Sequence, residues 1–368
     1  MRLRGRSDRP LSLRVFEMRL NLVAVLAAAA AAFGVGAAVT EEAPPVAVDH
    51  HVHVHSPAIL GFLPDYCSSP GRVNACPEVF IRPLTVDDLL ADMDAAGVRQ
   101  AWLMSTAYLA ESPMMVPLRP DAPDLIRAAN DFTVDLARTH PDRLVAFIGV
   151  NPLTPTALPE IARWAGEPFA FGVKLHLTNS DVDLRDPADV AALAAVFRAA
   201  ATGGKTIMIH MRTRAEDYGA QDVRIFLDQI LPQAQGVPVV IAHSGGWGGL
   251  DDNTWNAMAA FAEGLEQNSK AGQNLYFDLA QVFDADTSDA NLARLVVLMR
   301  RIGTERFVAG SDWPFSGPLD PYLNDVLARL PLTAEELMLV REAGGSSARR
   351  RRGGPAATLP LPLVELCP

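Results

Sequence analysis

Eight short apolar stretches alternate along the chain with longer segments in which apolar residues recur at helical spacing. We predict strands at residues 46–54, 100–105, 144–150, 171–177, 206–210, 238–242, 275–279 and 307–310. Segments 187–197 and 222–231 show the helical spacing most clearly. Nearly continuous apolar strands separated by helices indicate a parallel sheet covered by helices. Eight such units favour an α/β fold closed into a (β/α)8 TIM barrel.

The two ends of the chain differ from this alternating pattern. Residues 1–38 combine six arginines with an alanine-rich apolar run and small residues at Gly36 and Ala38, which predicts a cleaved signal peptide. An uncleaved membrane anchor is the alternative, although the run is only weakly hydrophobic. Residues 39–46 would form a linker and residues 47–345 the barrel. A last helix begins near Thr333, and residues 346–368 predict a disordered tail.

The charge balance narrows the classes of partner. The formal net charge is −11, and no basic face is visible, so we expect no nucleic-acid partner. We expect an exported protein, periplasmic or secreted, that has no membrane attachment after cleavage and acts on a small-molecule substrate. The sequence leaves open whether the chain forms a homo-oligomer.

A long connection follows the first predicted strand. Residues 56–84 are rich in Pro, Gly and Ser and contain Cys67 and Cys76. A disulfide between them is expected in an oxidising compartment, and two unpaired thiols are the alternative. Long structureless loops in compact domains are usually functional lids or disordered segments, and a disulfide would favour a lid.

Histidines gather at the ends of predicted strands. Seven of the eight follow strands 1, 4, 5 and 6, and these strand ends meet on one face of a barrel. Side-chain alternation would place Asp49, His51, His53 and His55 on one face of the first strand. Imidazoles two residues apart can bind one cation, and either His51 with His53 or His53 with His55 satisfies that spacing.

Single polar residues end three further strands. His210 follows the fifth strand, His243 the sixth and Asp312 the eighth. Each alone could be a hydrogen-bonded core residue. Core packing explains the joint pattern of two histidines, two single histidines and an aspartate much less well.

Several motifs in this order resemble the amidohydrolase superfamily, most closely its amidohydrolase-related branch. They are Asp-His-His-Val-His from residue 49, Gly-Val-Lys-Leu-His from 172, Ala-His-Ser-Gly-Gly from 242 and Gly-Ser-Asp-Trp-Pro from 310, and the resemblance covers about residues 46–330. The resemblance implies a divalent metal held by His51, His53 and His210. It implies Asp312 as a ligand or general base, and His243 as a second ligand or catalytic acid/base.

Three further residues are candidates for binding the substrate. Lys174 and His176 share the inward face of the fourth predicted strand, and Arg212 follows His210 by two positions. In two-metal members of the superfamily, a carbamylated lysine at this position bridges the metals. We favour Lys174 as the cation that binds a substrate carboxylate, which leaves a single metal. Arg212 would bind a carboxylate too, or lie in a solvated loop.

These observations and the resemblance predict a metal-dependent hydrolase. The substrate would be a small lactone, cyclic amide or similar carbonyl compound that carries a carboxylate. One Zn²⁺ is the expected cofactor, with Mn²⁺ or Fe²⁺ as alternatives and a second metal only if Lys174 is carbamylated. A metal-dependent decarboxylase with the same ligands is the alternative function. A binding protein that has lost catalysis is a third hypothesis, against which the intact ligand set argues.

Overall fold

The computed structural model describes residues 44–72, 75–268 and 272–343. The predicted signal peptide at 1–38 and the predicted tail at 346–368 lie outside these ranges. None of the helices in the described ranges is long and apolar enough to span a membrane.

Eight parallel strands pair in chain order and form a nearly closed barrel. They are β1 (Val48–Val52), β2 (Gln100–Met104), β3 (Leu144–Gly149), β4 (Ala170–His176), β5 (Thr206–His210), β6 (Val239–Ile241), β7 (Leu275–Asp278) and β8 (Phe307–Val308). Each predicted strand overlaps an observed strand, and no boundary differs by more than two residues. The (β/α)8 barrel predicted from the sequence is therefore confirmed.

Helices follow the strands and pack outside them. They are α1 (Pro57–Ser68), α2 (Glu78–Ile81), α3 (Val86–Ala96), α4 (Ala122–Thr139), α5 (Ala157–Arg163), α6 (Leu177–Ser180), α7 (Pro187–Thr202), α8 (Ala220–Ile225), α9 (Asp252–Gln267), α10 (Asp289–Ile302) and α11 (Ala334–Arg341). The predicted helix start at Thr333 is correct. Its hydroxyl accepts a hydrogen bond from the Glu336 backbone, and the Glu336 carboxylate accepts one from the Thr333 backbone.

Alternate residues of the strands enter two different apolar clusters. Trp102, Phe147 and Met208 belong to a cluster built almost entirely from strand residues, as expected for the interior of the barrel. The intervening residues, such as Leu103 and Ile207, join the larger cluster that includes the helices. Both clusters are buried, so the strands are apolar on both faces.

The first connection after β1 is more ordered than the sequence predicted. It contains α1 and α2 instead of a structureless loop. Ser56 caps the start of α1. Phe62 and Tyr66, on the buried side of α1, pack in an apolar cluster with residues of the 107–110 segment. The predicted disulfide between Cys67 and Cys76 is confirmed and links the end of α1 to the residues before α2.

Candidate active site

Two imidazoles from the first strand and the residues just after it face each other. The Nε2 atoms of His51 and His53 lie 3.2 Å apart. The His51 Nδ1–H donates to Asp278 at 2.8 Å, and the His53 Nδ1–H donates to the Met104 carbonyl at 3.1 Å. Because a neutral imidazole carries one hydrogen, both Nε2 atoms present lone pairs. Two lone pairs cannot hydrogen-bond to each other, so this donor set fits a cation between them.

Asp312 completes a three-residue cluster with these histidines. Its Oδ1 lies 3.2 Å from the His53 Nε2 and 3.5 Å from the His51 Nε2. Burial alone would raise the pKa of Asp312, but His53, His243 and Lys174 hold that pKa below its ordinary value. Its backbone has φ +66°, an uncommon conformation for a residue other than glycine. A hydrogen bond of 2.7 Å from its N–H to the His51 carbonyl fixes that turn.

His243 lies on the other side of His51. The two ring centres are 4.9 Å apart, and the His243 Nδ1–H donates to the Ala280 carbonyl at 2.7 Å. The His243 Nε2 is therefore also unprotonated while the ring is neutral, and burial favours that form by lowering the pKa of His243. His51, His243 and Asp278 form a second group whose ligand atoms lie within 4.8 Å of one another.

His210 lines the same cavity but joins neither of these groups. Its ring stacks on His176, with ring centres 3.9 Å apart and planes at 10°. Its Nε2 is buried and has no hydrogen-bond partner among the described residues. Buried polar atoms are usually satisfied, so this nitrogen could be completed by a ligand. The assignment of His210 as a metal ligand stays a prediction.

Asp278, the last residue of β7, is a site residue that the sequence analysis missed. Its carboxylate accepts hydrogen bonds from the His51 ring, from the His243 backbone at 2.6 Å and from the Ala280 backbone at 3.1 Å. Burial raises its pKa. A carboxylate near the C-terminal end of a predicted strand is the same signal that pointed to Asp312, and it was available in the sequence.

Lys174 and His176, the two candidate substrate-binding residues on β4, both line the cavity. The Lys174 Nζ is buried and lies 3.0 Å from the His51 Nε2, and burial lowers its pKa. The His176 Nδ1 accepts the Asn179 backbone N–H at 3.3 Å, and burial also lowers its pKa. His176 therefore carries its hydrogen on Nε2 and offers a donor, unlike His51 and His53, which offer lone pairs.

Arg212 and His55, two residues that the sequence placed near the site, do not take the predicted positions. Arg212 pairs with Asp251 at 3.1 Å and is absent from the described lining of the cavity. His51 and His53 form the close pair. The His55 Nδ1 lies 2.8 Å from the Thr106 hydroxyl, and His55 belongs to neither candidate metal group found among the described residues.

The expected alternation of side chains on the first strand holds only in part. His51 and His53 share a face as predicted, but Val48 and Val52, which strict alternation would place together, enter different apolar clusters. The pairing of β1 with β2 shifts between Asp49 and Val52, and β1 ends at Val52. The positions of His53 and His55 are therefore set by the backbone beyond the strand. His50 packs its ring against Trp102 in the barrel interior, with ring centres 4.6 Å apart.

A cavity of about 440 Å³ opens over the His51, His53 and Asp312 cluster. Aromatic side chains supply much of its wall. They come from α1, from α2, from the segments after β2 and β6, and from the segment after β8: Tyr66, Phe80, Tyr108, Trp247 and Phe315. Lys174, His176 and His243 supply polar groups on its floor. The cavity thus combines a candidate metal centre with flat apolar surfaces.

Comparison with known proteins agrees with this architecture. The profile of the amidohydrolase family matches residues 48–342. No curated protein matches the sequence. Among solved structures, 5-carboxyvanillate decarboxylase from Sphingomonas paucimobilis is similar with a TM-score of 0.58 and 16% identity, covering 81% of this chain and 97% of that chain.

Two further solved structures have a similar fold. A mutant 5-carboxyvanillate decarboxylase from Novosphingobium aromaticivorans, with bound manganese and a nitrobenzoic acid, has a TM-score of 0.53 and 15% identity over 80% of this chain and 94% of that one. A 2,6-dihydroxybenzoate decarboxylase from Rhizobium has a TM-score of 0.50 and 18% identity over 81% and 96%. These likenesses establish the fold. The profile match shows that the chain belongs to the amidohydrolase family of metal-dependent enzymes.

Proposed function

We propose that this protein catalyses the metal-dependent, non-oxidative decarboxylation of an aromatic carboxylic acid. The observation that carries the proposal is the position of Phe80, Tyr108 and Phe315 around a cavity whose floor holds the His51, His53 and Asp312 cluster. Flat apolar walls favour a ring, and the polar floor favours a carboxylate. The substrate ring would lie between the aromatic side chains with its carboxylate toward the floor.

The structural relatives support this proposal over the predicted hydrolysis. The three described above are all decarboxylases by name, and their named acids are aromatic. Their identity to this chain is low, so they support the reaction class and not a particular substrate. One of them holds manganese, which makes Mn²⁺ a cofactor to test beside the predicted Zn²⁺.

His51, His53 and Asp312 would hold the cation, with His210 or His243 as a further ligand. When bound, the cation supplies positive charge that draws electrons from the substrate oxygens. Lys174, 3.0 Å from the His51 Nε2, adds a second cationic group for the carboxylate. His176 offers its Nε2–H as a hydrogen-bond donor, and the two side chains together orient the acid.

The reaction replaces a carboxylate by hydrogen. The bond between the ring carbon and the carboxylate breaks, CO₂ leaves, and the electron pair stays on the ring carbon. That carbon then takes up one proton. We assign the proton transfer to Asp312, which accepts a proton from water or a ring hydroxyl and donates it to the carbon.

Hydrolysis of a lactone or cyclic amide is the second candidate function. One observation favours it: His243 holds an unprotonated Nε2 close to His51, where it could accept a proton from water. Both reactions would use the same metal site, so only the substrate separates them.

The experiment is a substrate panel on one preparation of the protein loaded with Mn²⁺ or Zn²⁺. The panel contains hydroxylated benzoic acids, lactones and cyclic amides of similar size, and CO₂ release and ring opening are measured separately. Release of CO₂ from an aromatic acid that stops in Asp312→Asn is the expected result. Ring opening of a lactone without CO₂ release from any acid would overturn the decarboxylase proposal in favour of hydrolysis.

A further inference from the structure

We propose that Trp247 determines substrate specificity by covering the aromatic ring of the bound acid. This inference rests on the proposed function, since it names the group that recognises the ring of that substrate. It concerns a residue at the rim of the cavity, away from the candidate metal ligands.

Trp247 differs from every other tryptophan in the protein. Its side chain is 53% exposed, whereas Trp102, Trp164, Trp255 and Trp313 are at most 8% exposed. Trp247 also lines the cavity, and none of the other four does. An exposed indole at a cavity mouth leaves a large apolar surface in water, and a flat ligand would remove that surface from water.

The indole stands over the polar floor of the cavity. Its ring centre is 5.5 Å from that of His210 and 6.3 Å from that of His176, and it meets both rings nearly at right angles. The imidazole planes therefore stand nearly perpendicular to the indole plane and are not stacked on it, and about half of the Trp247 side chain stays exposed. A substrate ring whose carboxylate reaches Lys174 would pass beside this indole.

Two glycines directly after Trp247 allow the backbone to turn at the rim of the cavity. Gly248 and Gly249 have φ of +107° and +96°, conformations that other residues rarely adopt. Beyond the indole, the Gly249 N–H donates to the Gln281 carbonyl at 2.7 Å. The segment is thus anchored next to the cavity while the tryptophan side chain itself stays uncovered.

The test uses a ligand that binds without reacting. Zn²⁺-loaded protein labelled with 5-fluorotryptophan is titrated with benzoate and with cyclohexanecarboxylate, an acid of similar size that is not aromatic, and ¹⁹F resonances are followed. The Trp247→Phe variant assigns the Trp247 resonance. Val297→Ala, which alters a similarly exposed apolar residue on α10, is the matched control.

Benzoate is expected to shift the Trp247 resonance and reduce its solvent isotope shift, and cyclohexanecarboxylate to do so much less. Trp247→Ala should weaken benzoate binding and raise KM for the aromatic substrate about tenfold with kcat nearly unchanged. Trp247→Phe should restore most of the binding, and Val297→Ala should match the parent.

Two results would overturn the inference. In the first, benzoate does not bind or does not move the Trp247 resonance. In the second, Trp247→Ala has the same Kd for benzoate and the same KM as the parent. Failure of the proposed function is a different result. In that case no acid releases CO₂, yet benzoate still shifts the Trp247 resonance, and the ring contact stands.

Discussion

The carboxylate of Asp278 receives the Nδ1–H of His51 at 2.8 Å, so a residue of the seventh strand fixes the imidazole of a residue of the first. A second oxygen of the same carboxylate receives the His243 backbone N–H. Asp278 therefore sets both the orientation and the tautomer of His51. Such outer contacts commonly tune metal affinity.

Replacing Asp278 should weaken metal binding without removing a direct ligand of the His51, His53 and Asp312 cluster. Asp278→Asn keeps the shape but loses the charge, and we expect a loss in metal affinity of about 10- to 100-fold. Competition with a chelator measures this affinity. Asp142→Asn, on an exposed turn, is the control and should bind metal like the parent; equal affinities in both variants would contradict the orienting role.

Asp312 should matter more for turnover than for metal retention. Asp312→Asn leaves His51 and His53 in place but removes a basic oxygen, so much of the metal should remain while the rate falls about 10²- to 10⁴-fold. His51→Ala should lose both metal and activity. Rates are compared at equal metal content, and an active Asp312→Asn would transfer the proton step to His243.

One tightly bound metal per chain is expected. Lys174 lies beside His51 as an amine that can serve the substrate. Metal analysis of purified protein, together with its intact mass, checks the number. Two metals per chain and an added carbamate on Lys174 would instead place the protein among the two-metal members of the superfamily.

Breaking the disulfide should loosen the wall of the cavity that carries Tyr66 and Phe80. Cys67→Ser with Cys76→Ser is expected to lower the free energy of unfolding by about 2–4 kcal/mol, because the unfolded chain regains freedom. We also expect a higher KM with kcat little changed. Urea denaturation measures the first effect, and Cys367→Ser is the control, expected to match the parent.

Export is the condition under which that disulfide forms readily. We propose that the precursor is cleaved near residue 38, because its basic and alanine-rich start has the pattern of a signal peptide. Cell fractionation followed by sequencing of the mature N-terminus checks this. Full-length protein confined to the cytoplasm would refute it.

The sequence predicted strands and strand-end residues well because apolar runs and their polar last residues are local features. It predicted the shared face of His51 and His53, but strict alternation would also place Val48 and Val52 together, and a register shift that depends on pairing with β2 prevents this. It could not reveal that Asp278 orients His51, since that contact joins residues 227 positions apart. The sequence also did not reveal that Phe80 and Phe315 line the cavity. Both lie in connections between strands, and the hydrophobic pattern does not determine the path of those connections.

The candidate cation site spans the seam where the barrel closes. His51 and His53 belong to the start of the barrel and Asp312 to its end. The two residues of β8 pair with β7, and an isolated bridge between Val52 and Trp313 joins the two edges of the seam. A bound ion would link the two edges of this seam and would stabilise barrel closure, because it would bind more tightly once both edges have met. A partly synthesised chain lacks Asp312 and the second edge, so we expect tight metal binding only after β8 has joined the barrel.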